Sequence, residues 1–128
     1  MEYDKAVLSR FRHPQHAGRP DLPAGALVGG RAGKRRTGAD VVIYLHIIGD
    51  EISDARFEAY GCPHTIAAAD YMAGRMIGRP VSAALDETAQ QVADELGLPA
   101  EKLGQVLIVE DAIRAALGVW ENRVASGA

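Results

Sequence analysis

The stretch from Val41 to Tyr60 constrains this chain more than any other. Val41 to Ile48 is an almost continuous β-branched and apolar run, Gly49-Asp50-Glu51 interrupts it, and Ile52 to Tyr60 resumes with Ala55, Phe57 and Ala59 at alternate positions. Two such runs around a short glycine-containing turn predict a β-hairpin. The second run stops at Gly61. The sole cysteine, Cys62, follows, then Pro63, then a small-residue segment in which Ile66, Ala69, Ala73 and Ile77 recur at three- and four-residue steps. Proline favours the first helical position, where its missing N–H would go unbonded anyway. The pattern therefore predicts a helix from Pro63 to about Ile77 with one stripe on a core, and places Cys62 at or beside its N-cap.

A hairpin needs a cover, and the rest of the chain supplies helical patterns. Tyr3, Val7 and Phe11 mark a short helix over Tyr3–Phe11 that ends at His13-Pro14. Residues 19–33, rich in Gly, Pro and Ala, predict a connection with one short edge strand around Ala26-Leu27-Val28. Leu85, Ala89, Val92 and Leu96 mark a helix over Ser82–Leu96, with Gly97 as its C-cap, and Leu98 to Lys102 forms a turn. A last helix runs from Gln105 or Val106 to Val124, with Val109, Ile113, Leu117, Trp120 and Val124 on one side. The expectation is a single α+β domain over residues 1–128, a small antiparallel sheet of about three strands with helices packed on one face. A length of 128 residues suffices for one core.

With 14 basic against 17 acidic residues, charge makes no electrostatic case for nucleic acid. No apolar run approaches the roughly 20 residues that span a membrane, and the first residues carry no apolar secretory segment. One cysteine excludes an internal disulfide framework and fits a reducing compartment, so a soluble, cytoplasmic protein is expected. A thiol at a helix start meets unpaired N–H groups and the positive end of the dipole, which favour thiolate. His64, in the first turn, is a candidate acid, base or second metal ligand. The competing reading of Cys62 is a small buried hydrophobe. His13 and His16 flank Pro14 and read as solvated loop side chains, and His46, inside a strand, as structural. Arg31 with Lys34-Arg35-Arg36 forms a basic cluster, either a solvated loop or a docking point for an acidic partner.

Asp54 to Cys62, Ile66 to Ala69, Ile77-Gly78-Arg79 and Glu110-Asp111-Ala112-Ile113 closely resemble the NifU N-terminal/IscU-type iron–sulfur cluster scaffolds. Tyr3, Val7, Phe11, Pro14 and Gly18 resemble that family's opening helix and turn. The resemblance implies an IscU/SufE-like fold and a non-enzymatic role in iron–sulfur cluster assembly, with a cysteine desulfurase and recipient apoproteins as partners. The family builds its site from three cysteines, an aspartate near the first and a histidine before the third. Laid on that pattern, Gly38 stands for the first cysteine, Asp40 and Cys62 are retained, and the His-Cys pair falls on Gly104-Gln105. The implied cofactor-binding pair is Cys62 with Asp40. Adding His64, which is local to this chain, gives an Asp40, Cys62 and His64 set suited to a zinc or ferrous ion in place of a cluster. Leu98, Pro99 and Lys102 match the loop by which IscU-type scaffolds engage an Hsp70-type chaperone, while Ala100 and Glu101 depart from it. Three roles stand open: a scaffold with a degenerate ligand set using Cys62 as ligand or sulfur acceptor, a SufE-like persulfide carrier, and a non-catalytic interaction subunit.

Overall fold

The computed structural model describes residues 3–21 and 27–127. Its elements are α1 (Lys5–Arg12), β1 (Leu27–Lys34), β2 (Ala39–Ile48), β3 (Glu51–Tyr60), α2 (Pro63–Met76), α3 (Ala89–Leu96) and α4 (Leu103–Ala125). Short 3-10 turns cover Arg35–Thr37, Val81–Ala83 and Ala100–Lys102. The three strands form one antiparallel sheet in the order β1-β2-β3. Side chains alternate across a strand, so Val41, Ile43, Leu45 and Ile47 of β2 join Val28, Ile52, Ala55 and Phe57 on the buried face. Helices α2 and α4 cover that face. The expected α+β architecture is what the chain adopts, including the hairpin.

The edge strand differs from expectation. It runs eight residues, from Leu27 to Lys34, although its glycines suggested a connection; Ala26 lies outside the described residues. The reason for glycine lies across the core. A Cβ on Gly30 would sit 2.3 Å from the Ala112 carbonyl oxygen and 2.3 Å from the Ala116 nitrogen, so β1 and α4 touch backbone to backbone. The buried stripe of α4 is accordingly Val106, Val109, Ala112, Ile113 and Ala116, and Val124, expected on that stripe, is 57% exposed.

Helix α2 is not the one-sided helix its pattern implied. Every residue from Ala67 to Ala73 is buried, because α1, α3, α4 and β3 surround it. Asp70 is among them. Its carboxylate accepts from Arg10 Nη1 at 2.9 Å and from the backbone N–H groups of Gln15 at 2.7 Å and His16 at 2.9 Å. Helix α3 begins at Ala89 and not Ser82, because Thr88 and Gln91 close a reciprocal capping box. Gly97, left-handed at φ +64°, ends it as expected.

Candidate functional site

Cys62 sits where β3 gives way to α2, at the N-cap of a helix whose first residue is Pro63. The sulfur is half-buried and unbridged. It lies 3.6 Å from Thr65 Oγ1 and 3.8 Å from His64 Nδ1. His64 and Thr65 occupy the second and third helical positions, whose N–H groups an N-cap side chain normally accepts. Burial pushes the thiol up. The Thr65 hydroxyl, the N–H groups of Thr65 and His64, and the charge of Lys102 together outweigh it and hold the thiol below its ordinary value. The shift is towards thiolate, the direction expected of a helix N-terminus.

Two further contacts close this corner. The buried Thr65 hydroxyl donates to Gln105 Oε1 at 2.5 Å, fastening α2 to α4. His64 is almost wholly buried, with its ring 4.8 Å from that of Tyr3. Burial, reinforced by Lys102, holds the imidazole below its usual value, so it stays neutral around pH 7. Gly61 serves the corner by its size. Its φ is not in the left-handed region, but a Cβ there would come within 2.7 Å of Thr65 Oγ1. In the turn that follows α3, Leu98 packs against the core while Lys102 faces the thiol corner.

Asp40 lies on the strand beside the thiol corner. It pairs in register with Tyr60, two residues before Cys62, yet its carboxylate is held from two sides by Arg31, Nε at 2.8 Å and Nη2 at 2.5 Å, with Arg35 at 4.0 Å. The Arg31 hydrogen bonds outweigh burial and keep this carboxyl below the ordinary range. The structure thus brings Cys62 and His64 together and commits Asp40 to an ion pair. Among the described residues no three His, Cys, Asp or Glu side chains stand together as a metal site. Gly38 stands at φ +100°, a conformation that disfavours any side chain, and Gln105 presents an amide oxygen already bonded to Thr65. An iron–sulfur cluster is held chiefly by thiolates, and the family pattern supplies three. One thiol does not fit that demand.

The other histidines are structural or peripheral. His46 Nδ1 lies 2.7 Å from Ser53 Oγ across the hairpin, and the His16 N–H is spent on Asp70. Thr65 and Asp70 were not singled out from sequence, Arg31 entered only as part of the basic cluster, and Gln105 only as the residue standing at a family ligand position. Thr65 carried a local signal, three residues after a helix-capping position. Gln105 and Asp70 owe their roles to contacts between distant segments, and Arg31 to the pairing of β1 with β2.

The NifU-like N-terminal domain family matches residues 2–126. The iron–sulfur cluster assembly scaffold protein IscU of Rickettsia prowazekii is 30% identical over 96% of this chain and 95% of its own length. IscU of Azotobacter vinelandii is 31% identical over 96% and 97%. Among solved structures, the N-terminal part of a nitrogen-fixing NifU-like protein from Brucella abortus superposes with a TM-score of 0.71, covering 94% of each chain at 17% identity, a likeness of fold.

Proposed function

This chain belongs to the NifU-like N-terminal domain family, and from that premise we propose that it serves iron–sulfur cluster assembly by carrying sulfur on Cys62. It is an assembly scaffold of the IscU/NifU type. The observation that carries the finer reading is the single half-buried thiol at the N-cap of α2, biased towards thiolate by Thr65, the His64 N–H and Lys102. Such a site needs no further ligand.

In the exchange, the Cys62 thiolate attacks the outer sulfur of a donor persulfide R–S–SH. The donor S–S bond breaks, R–S⁻ leaves, and Cys62–S–SH forms with its terminal proton retained; nothing is oxidised or reduced overall. The donor class is a cysteine desulfurase, and recipient apoproteins or their assembly partners take the sulfur onward. The chain is consumed and regenerated as a carrier and is not an enzyme. Asp40 supports the neighbouring strand through Arg31 and does not touch the sulfur, while His64, neutral and beside Sγ, orients the thiol.

Incubation with a desulfurase and cysteine should add the mass of one sulfur to the intact protein, with no addition to Cys62→Ser. An unmodified thiol with several desulfurases would leave the interaction-subunit role. Anaerobic reconstitution with iron and sulfide that gave colour dependent on Cys62 would instead make this residue a cluster ligand, completed by a second chain.

A further inference from the structure

Arg31, Lys34, Arg35 and Arg36 fall within six residues, a local excess of positive charge on a chain whose net charge is −3. They occupy the end of β1 and the 3-10 turn that leads into β2, and all four are exposed. Beside them an open cleft of about 440 Å³ is lined by Arg31, Arg35, Asp40, Tyr44, Glu58 and Tyr60. Its two carboxylates are already engaged, Asp40 by Arg31 and Glu58 by the Tyr44 hydroxyl. The cations are not used up. Arg31, 66% exposed, spends Nε and Nη2 on Asp40 and keeps other donors. Arg35, 73% exposed, reaches Asp40 only at 4.0 Å and lies over the Tyr60 ring at 5.0 Å. Lys34 and Arg36 make no ion pair among the described residues.

Location gives this cleft its meaning. Tyr60 lines it and stands two residues before Cys62, and Asp40 pairs with Tyr60 in the ladder, so the cleft opens at the thiol end of the sheet. A partner that engages the half-buried sulfur and extends over Tyr60 meets this rim. Guanidinium groups recognise carboxylates through paired donors, and the two tyrosine rings offer apolar contact to an extended backbone. We propose that this cleft and its rim dock an acidic, Glu/Asp-rich segment of the protein that exchanges sulfur with Cys62. The identity of the partner rests on the sulfur-carrier reading; the preference for an acidic peptide rests on the cleft alone.

The test uses the full chain and a fluorescein-labelled Glu-Ala repeat peptide, followed by anisotropy at low ionic strength. The peptide should bind, binding should weaken as salt screens the charges, and a Lys-Ala repeat should not bind. The triple variant Lys34→Glu, Arg35→Glu, Arg36→Glu, which leaves the Arg31–Asp40 pair intact, should weaken binding about tenfold or more. Arg36→Glu alone, at an exposed site, should weaken it in the same direction and guards against misfolding of the triple variant. Charge reversal should also slow loading of Cys62 from a desulfurase and leave loading from inorganic polysulfide unchanged. Equal peptide binding by the variants, or displacement of the peptide by an oligonucleotide of equal charge, would overturn the proposal. Failure of Cys62 to load from either donor would instead strike the sulfur-carrier reading and leave the peptide result to stand by itself.

Discussion

Within one helical turn, Cys62 has the Thr65 hydroxyl and two backbone N–H groups arrayed against the cost of partial burial, and the charge of Lys102, from the turn before α4, adds to them. Its alkylation by iodoacetamide should titrate below the range of an ordinary cysteine. Thr65→Val keeps the shape, removes the hydroxyl, and should move that titration upward. An unshifted profile would show that the helix N-terminus suffices. His64 behaves in the opposite chemical sense. Its folded pKa lies below the unfolded value of 6.5, chiefly through burial, so the unfolded chain binds the proton first. The stability it contributes is present above pH 6.5 and is lost as pH falls from 6.5 through the folded value. Melting temperature should decline across that window, with a shallower decline in His64→Asn. Sequence disclosed Cys62 and its capping position because Pro63 marks a helix start locally; it could not disclose Gln105, whose bond to Thr65 joins residues forty apart.

At the scale of elements, the contact between β1 and α4 explains why a glycine-rich segment is a strand. Glycine has poor strand preference, and nothing beside Gly30 in sequence hints at the Ala112 and Ala116 backbone above it. Gly30→Ala should cost about 3 kcal/mol, since neither backbone can yield as a side chain would. Gly29→Ala supplies the contrast, because its Cβ would meet the Tyr44 ring at an ordinary 3.6 Å and should leave the denaturant midpoint almost unmoved. The start of α3 teaches the converse lesson. Thr88 and Gln91 form a capping box visible in the sequence, and the apolar spacing that began at Leu85 obscured it.

The molecule as a whole is tied across its length by Asp70, which holds α1 through Arg10 and the following turn through Gln15 and His16. From there the chain meets β3, where the Phe57 N–H donates to the His16 carbonyl and the Gly18 N–H to that of Phe57. This segment covers the outer edge of the sheet, where bare strand groups would invite pairing with another chain. Asp70→Ala leaves the Gln15 and His16 N–H groups and Arg10 without their acceptor and should cost about 3 kcal/mol in urea unfolding. Arg10→Ala should cost less, because a third of that side chain is exposed and water can take its place at the carboxylate.

Alternation, helical spacing and the Gly61-Cys62-Pro63 junction are properties of neighbours along the chain, and they were enough to specify the hairpin, the central helix, the thiol at its cap and the kinship of the protein. What surrounds that thiol was settled by tertiary contacts. Arg31 claims Asp40, Gln105 claims Thr65, and the neutral imidazole of His64 is sealed beneath Tyr3. The first forms when β1 and β2 pair, and the other two only when α2 closes on α4 and on the N-terminal segment.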